Sequence, residues 1–223
     1  MSDELWISSD GNRLHADVYG SLPARHVAVL VHGMNWDADR WRPYAPRLVD
    51  AGLAAIALDL RGHGLSEGAS DTEFVEGRPW SPATDLRATK ALVRKRCGGD
   101  VRISLVGCSL GGHAVLASSF ERDVSDVVSI SAPVVAISDH LSRRVSGRKL
   151  YVCASDDRAG ATRHALTSFA ALTRPKELRI FDGTEHSIAM FDAPYGEQVI
   201  QALLEFLRAP VPSGNEMPLA GML

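Results

Sequence analysis

The 223-residue sequence has few cysteines, and their number is odd. Cys97, Cys108 and Cys153 are widely spaced, and the last two lie inside apolar segments typical of strands. This pattern is unlike a disulfide scaffold or a paired-cysteine zinc site, and it predicts buried free thiols in a reducing compartment. The histidines also lack a metal-binding motif, so no metal site is predicted.

The sequence also lacks a long apolar run and an excess of one charge. No stretch approaches the roughly 20 apolar residues that a membrane span needs, and the opening MSDELWISSDGNRL has no signal-peptide pattern. The net charge of −3 gives no electrostatic reason to expect a nucleic-acid partner. We therefore expect a cytoplasmic protein without a membrane span, and its oligomeric state stays open.

The composition suits one globular domain, because 45% of the residues are hydrophobic and 23% are charged. We place this domain at residues 1–208. Residues 209–223 carry three prolines and two glycines, which predicts a flexible C-terminal tail. The apolar end of this tail leaves docking on the domain or on a partner subunit as an alternative.

Strand and helix patterns alternate along the domain. Two strand-like segments flank Asp10-Gly11, which predicts an N-terminal hairpin. Further apolar strand segments are HVAVLVHG, LAAIALDL, VRISLVG, VSDVVSIS, KLYVCAS and KELRIFDG. This order predicts an α/β fold with a mostly parallel central sheet, an antiparallel N-terminal hairpin and helices on both faces.

Helices are predicted between these strands. They cover residues 40–51, a segment through Arg96 with Ser81 as its N-cap, and a segment that starts at Ser109. A further helix carries Leu166, Phe169 and Leu172 on one face. The last helix has apolar residues at helical spacing: Val199, Ile200, Leu203, Phe206 and Leu207.

The segment GCSLG, residues 107–111, fits the pattern G-x-S-x-G between a strand and a helix. A serine on such a sharp turn projects its hydroxyl above the sheet, and only small residues suit Gly107 and Gly111 beside it. The N-terminus of the following helix also supplies N–H groups and a positive dipole end. Ser109 is therefore a candidate nucleophile, and the alternative is a glycine-rich turn in which Ser109 is only a helix cap.

A serine hydroxyl needs a base and an orienting acid to act as a nucleophile. In parallel sheets the functional side chains gather at the carboxyl ends of the strands. His186 follows the last predicted strand and is the candidate base. Asp156 and Asp157 follow the preceding strand, and we expect Asp157 to be the acid because it lies further into the turn. Asp156 remains the alternative.

An oxyanion formed at Ser109 needs two backbone donors. Leu110 N–H, directly after the nucleophile, is the first candidate, and Met34 N–H, in the turn after HVAVLVHG, is the second. Trp36 and Met190 lie near predicted strand ends, where a substrate-binding role and ordinary packing are equally consistent with the sequence. We expect His32 to be structural.

These segments together resemble the α/β-hydrolase superfamily. VLVHGMNW resembles its oxyanion loop, VGCSLGG its nucleophile elbow, ASDDRAG its acid loop and DGTEH its histidine loop, in the family order Ser, Asp, His. The resemblance extends to about Arg208. It implies a small member without a large cap, since only about 20 residues separate Ile130 from Lys149. The loop from Gly62 to Trp80 is long enough to shade the site.

The resemblance implies a serine hydrolase that cleaves a small-molecule carboxylic ester or thioester through an acyl-enzyme. Amide cleavage or acyl transfer on the same residues remains open, and so does a non-catalytic binding protein of this fold. No cofactor is expected, because RGHGLSEG has Glu67 where a dinucleotide loop needs its third glycine. Nearby charged residues are expected to form structural ion pairs and caps: Asp59, Arg61, Glu67 and Asp85.

Overall fold

The computed structural model describes residues 2–121, 123–132 and 143–211. These residues form an eight-stranded sheet with the order β1-β2-β4-β3-β5-β6-β7-β8. Strands β1 and β2 pair antiparallel, β2 joins β4 antiparallel, and all later pairs are parallel. The strands are β1 Asp3–Ser9, β2 Asn12–Tyr19, β3 His26–Val31, β4 Ala54–Leu58, β5 Arg102–Cys108, β6 Asp126–Ile130, β7 Arg148–Ala154 and β8 Lys176–Phe181.

The N-terminal hairpin turns at the predicted Asp10-Gly11 pair. Both residues have positive φ, 48° at Asp10 and 79° at Gly11, which is the backbone of the tight turn that joins two strands with native twist. Ser9 and Asn12 are the last paired residues before it. The predicted mostly parallel sheet with an antiparallel N-terminal hairpin is therefore confirmed.

Helices cover both faces of the sheet. One apolar cluster joins the sheet to α2, α3 and α4, and a second cluster joins the opposite face to α1 and α5. The central strands are buried on both faces, as expected when helices flank a parallel sheet. The helices are α1 Ala45–Asp50, α2 Ser81–Cys97, α3 Leu110–Ser118, α4 Ala161–Ala171 and α5 Gly196–Arg208.

The prediction of one helix over residues 40–51 is wrong. The structure has a 3-10 turn at Ala38–Trp41 and a separate helix α1 at Ala45–Asp50. Pro43 and Pro46 explain the break, because a proline inside a helix lacks the N–H and clashes with the preceding turn. Pro46 is tolerated because it lies in the first turn of α1.

Two other helix predictions need correction. Helix α2 begins at Ser81 itself, and Trp80 is its N-cap without a side-chain hydrogen bond. Helix α4 buries Ala161, Ala165 and Ser168, while Leu166 is 46% exposed. Of the three predicted residues, Leu172 is buried in the core and Phe169 packs against it, so only Leu166 departs from the prediction. The buried face of α5 is the predicted one.

Several expectations concern residues that the structure does not describe. Residues 212–223 of the predicted tail lie outside the described residues, and so do residues 133–142 of the connection between β6 and β7. The domain limits at 1–208 stay a prediction. The three cysteines are free, with Cys108 and Cys153 buried and Cys97 partly buried. No helix within the described ranges has both the length and the hydropathy to cross a membrane.

Candidate active site

The carboxyl ends of the parallel strands meet at one edge of the sheet. The register pairs Val31 with Gly107 and Cys108 with Ile130, so β3, β5 and β6 end level with one another. Ala154 and Phe181 end β7 and β8 together in the same way. The polar residues that follow these strands therefore converge at this edge.

Ser109 lies on a strained turn between β5 and α3. Its φ of 51° and ψ of −115° are rare for a residue with a side chain, and such strain is found where surrounding contacts enforce it. A Cβ on Gly107 would lie 2.2 Å from the Gly111 carbonyl oxygen, and a Cβ on Gly111 would lie 2.5 Å from the carbonyl oxygens of Val31 and His32. The glycines thus allow the turn to pack directly against the end of β3.

Ser109, His186 and Asp157 form a continuous chain of hydrogen bonds. Ser109 Oγ lies 2.9 Å from His186 Nε2. His186 Nδ1 lies 2.9 Å from both carboxylate oxygens of Asp157. A carboxylate only accepts, so Nδ1 carries the proton and Nε2 is left to accept from the serine. Asp156 is exposed, and its side chain takes no part in the hydrogen bonds that join Ser109, His186 and Asp157.

Asp157 is buried, yet its surroundings favour the charged form. Burial alone would raise the pKa of its carboxyl, but hydrogen bonds from His186, from the Ala159 N–H at 2.8 Å and from Ser131 outweigh burial and lower the pKa. The lowered pKa keeps Asp157 ionised at neutral pH. The carboxylate can therefore hold the His186 ring in one orientation and stabilise a positive charge on it.

Two backbone N–H groups, in the turns after β3 and β5, have no backbone acceptor among the described residues. Leu110 is the first residue of α3, so its N–H has no acceptor within the helix. The Met34 N–H donates to no acceptor in the described ranges. The sequence predicted both groups as oxyanion donors, and the structure places them in the turns after β3 and β5.

Two histidines hold the turn that carries Met34. His32 Nδ1 donates to the Gly33 carbonyl oxygen at 2.7 Å, and His32 Nε2 accepts from the Leu60 N–H at 3.1 Å. The Gly33 carbonyl and the Met34 N–H belong to one planar peptide group, so this contact fixes the direction of the N–H. Burial lowers the pKa of His32 to about 4, which keeps the ring neutral.

His63, which the sequence analysis did not connect with the site, completes this support. Its Nε2 donates to the Met34 carbonyl oxygen at 2.6 Å, and its ring packs on that of His32 with centroids 4.9 Å apart. The contact joins the loop after β4 to the turn after β3. A pair of histidines 31 positions apart in sequence gives no signal of it.

The two side chains considered for substrate binding differ in exposure. Trp36 is 46% exposed, whereas Met190 is fully buried in the core, where its sulfur lies 3.3 Å from the Ser131 hydroxyl oxygen. In this structure only Trp36 is open to a ligand. Ser187 has a positive φ. Its buried hydroxyl has no hydrogen-bond partner among the described residues.

Charged residues in and around the loop after β4 form the ion pair and the backbone hydrogen bonds expected of structural residues. Arg61 and Asp85 form a buried ion pair at 2.7 Å. The Asp59 carboxylate accepts from the Ala38 N–H at 2.6 Å, and Glu67 accepts from the backbone of Arg13. These groups fix the loop that carries His63, and none of them contacts Ser109.

The long loop from Gly62 to Trp80 contains no regular element. Phe74 and Trp80 pack against His113 of α3, with ring centroids 4.8 Å and 5.0 Å from its imidazole. The loop is thereby anchored to the helix that follows Ser109. Within the described part of the chain, no group of three or more histidine, cysteine, aspartate or glutamate side chains is arranged to bind a metal.

The chain is similar to a known protein family and to individual named proteins. The model of the family Hydrolase_4, described as serine aminopeptidase, S33, matches residues 23–152. A putative carbamate hydrolase RutD of Variovorax paradoxus is 29% identical over 201 residues, covering 88% of this chain and 70% of that protein. A monoacylglycerol lipase of Mycolicibacterium smegmatis is 33% identical over 149 residues, covering 63% of this chain. That match spans only 50% of the lipase.

The fold has close counterparts among solved structures. An esterase of Pyrococcus furiosus matches with a TM-score of 0.77 at 16% identity, covering 93% of this chain and 92% of that chain. The likeness in fold confirms the α/β-hydrolase architecture that the sequence predicted.

Proposed function

The chain belongs to the Hydrolase_4 family of α/β hydrolases, and we propose that it is a serine hydrolase that cleaves a carboxylic ester or thioester through an acyl-enzyme. One observation carries the proposal, namely the hydrogen-bond chain from Ser109 through His186 to Asp157 at the carboxyl edge of the sheet. In the proposed mechanism Ser109 is the nucleophile, His186 the general base and Asp157 the residue that orients the base.

In the acylation half, His186 Nε2 takes the proton of Ser109 Oγ as that oxygen attacks the substrate carbonyl carbon. The carbonyl π electrons move onto oxygen, and the N–H groups of Met34 and Leu110 stabilise this oxyanion. When the carbonyl re-forms, the bond to the leaving alcohol or thiol breaks. His186 gives its proton to the departing oxygen or sulfur, and the acyl group remains on Ser109.

In the deacylation half, His186 removes a proton from water, which attacks the acyl carbon. The carboxylic acid leaves, and the proton returns to Ser109 Oγ. Asp157 keeps the proton of the neutral ring on Nδ1 and stabilises the imidazolium formed in each half. The lowered pKa of Asp157 supports this role, because the carboxylate keeps its charge throughout.

Ester cleavage is proposed over amide cleavage for two reasons. The connection between β6 and β7, residues 131–147, is short for a cap with the acidic groups that would bind a peptide amine. The names of two similar proteins, a monoacylglycerol lipase and an esterase, describe ester chemistry. A third similar protein is named as a putative carbamate hydrolase, so amides and carbamates belong in the substrate panel.

The test is turnover of 4-nitrophenyl esters, acyl thioesters and amides by the native protein and by Ser109→Ala. The variant should lose roughly 10⁴-fold or more of the ester turnover. Ser8→Ala, a serine on the exposed side of β1, is the matched control and should retain full turnover. Full activity in Ser109→Ala would overturn the mechanism. Absence of turnover on the whole panel by the native protein would favour the binding-protein alternative.

A further inference from the structure

Strand β8 forms one edge of the sheet and has no neighbouring strand on its outer side among the described residues. On its inner side the Phe181 carbonyl oxygen accepts from the Ser155 N–H, directly after β7, at 2.8 Å. Successive residues of a strand turn their backbone groups to opposite sides, so those of Lys176, Leu178 and Ile180 point outward. These unpaired N–H and C=O groups form a template for a further strand.

The side chains of β8 leave this edge open to another strand. A lysine often protects an edge strand, but the Lys176 ammonium donates to the carbonyl oxygens of Phe169 and Ala170 at the end of α4, at 2.7 Å and 3.1 Å. Ile180 is 47% exposed. The edge therefore combines unpaired backbone groups with an exposed apolar side chain, which is the combination that strand addition uses.

Two opposite charges lie symmetrically about Leu178. Glu177 and Arg179 precede and follow it, and they pair with each other at 3.2 Å while their side chains stay about half exposed, at 50% and 53%. When a second copy of β8 pairs antiparallel with Leu178 on the two-fold axis, Glu177 faces Arg179 of the partner subunit. By symmetry, Arg179 faces Glu177 of the partner subunit.

This register also satisfies the backbone. It sets Leu178 opposite Leu178 of the partner subunit and Lys176 opposite Ile180 of the partner subunit, so outward-pointing groups meet each other. Glu177 and Arg179 then form non-hydrogen-bonded pairs, in which Cα atoms lie about 4.5 Å apart and side chains are closest. A two-fold axis at Glu177 or at Arg179 would set like charges opposite each other, which is unfavourable.

The opposite edge of the sheet lacks this complementarity. The charged residues of β1 are Asp3 and Glu4, which are both acidic and lie together at the start of the strand. An antiparallel copy of β1 would therefore find no opposite charge to face them. The pattern of charges distinguishes β8 from β1 as a surface for a second copy.

We propose that two copies of this chain form a dimer through antiparallel pairing of β8 about Leu178, so that their sheets join into one. The interface is isologous, because the same strand forms both sides and the two-fold axis closes it. The Glu177 and Arg179 pairs set the register, and Ile180 packs on the aliphatic stem of Lys176 of the partner subunit. A single pair of strands is a small interface, so association should depend on concentration.

The test measures the dimer dissociation constant by sedimentation equilibrium. The native protein should reach twice the 24.0 kDa of one chain as its concentration rises. Glu177→Arg and Arg179→Glu should each raise the constant by roughly tenfold or more, because each change sets like charges opposite each other at two symmetric places. A mixture of the two variants should form a heterodimer with about the native constant, because opposite charges again face each other in both pairs.

Glu4→Arg is the matched control, because it makes the same substitution at an exposed residue of the other edge strand. It should keep the native constant. A chain that ends at Val211 tests whether residues 212–223 occupy the edge instead, and it should dimerise at least as well as the full chain. A native protein that stays monomeric, single variants that dimerise as the native protein does, a mixture without recovery, or loss of the dimer in Glu4→Arg or in the shortened chain would overturn the proposal.

Discussion

Replacing Asp157 by asparagine should reverse the tautomer of His186 while leaving the fold intact. One oxygen of Asp157 accepts from the Ala159 N–H at 2.8 Å, and both oxygens lie 2.9 Å from His186 Nδ1. An asparagine must keep its oxygen on the Ala159 N–H, since an amide NH₂ there would meet another donor. Its NH₂ group then faces His186 and donates to Nδ1.

The consequence for catalysis follows from the single proton of a neutral imidazole. If Nδ1 accepts, the proton lies on Nε2, which then donates to Ser109 Oγ and cannot take its proton. We expect kcat and kcat/KM for a 4-nitrophenyl ester to fall together by roughly 10⁴-fold. This corresponds to about 5 kcal/mol of transition-state stabilisation.

The assay is steady-state hydrolysis, with urea unfolding as the control for stability. Asp156→Asn is the matched variant, because Asp156 is the adjacent aspartate and is exposed. It should retain activity within about twofold, since exposed substitutions away from a site have small effects. A fall of less than about tenfold in Asp157→Asn, or an equal fall in Asp156→Asn, would refute the assignment.

Two further predictions concern stability. Gly111→Ala should unfold the protein or shift its urea midpoint strongly, because the new Cβ would lie 2.5 Å from two carbonyl oxygens, whereas Gly99→Ala, with no atom within 4 Å, should shift it little. Burial lowers the pKa of His32 and His113 from 6.5 to about 4. The unfolded chain therefore binds more protons as pH falls from about 6.5 to 4, and the free energy of unfolding should fall by up to roughly 3 kcal/mol per histidine. His113→Phe, measured by urea unfolding across that range, should make the fall less steep, and an unchanged slope would contradict the assignment.

The residues of the candidate site could be predicted because the fold rule that gathers them is simple. Ser109, Asp157 and His186 each follow a strand, and parallel strands end at one edge, so their approach follows from topology. The place of Asp157 further into the turn favours it over Asp156 as the acid, and the structure shows the contact to His186 at Asp157. Their roles remain predictions until the variants are measured.

Other features depend on contacts that the sequence does not encode locally. The support of Met34 by His63 and the stacking of Arg40 on Trp36 arise from loop conformations, for which no periodic pattern exists. The break between the 3-10 turn and α1, in contrast, is encoded locally, because Pro43 and Pro46 argue against a continuous helix. Leu172 and Phe169 of the predicted face of α4 pack on the core, whereas Leu166 is exposed because the small residues Ala161, Ala165 and Ser168 are the ones buried beside the sheet.

The most direct test of the central claim is covalent labelling with a fluorophosphonate, followed by digestion and peptide mass mapping. The account predicts one adduct, on Ser109, that is absent in Ser109→Ala, forms much more slowly in Asp157→Asn and is suppressed by a competing ester substrate. An active protein that is labelled on another residue, or not labelled at all, would contradict it.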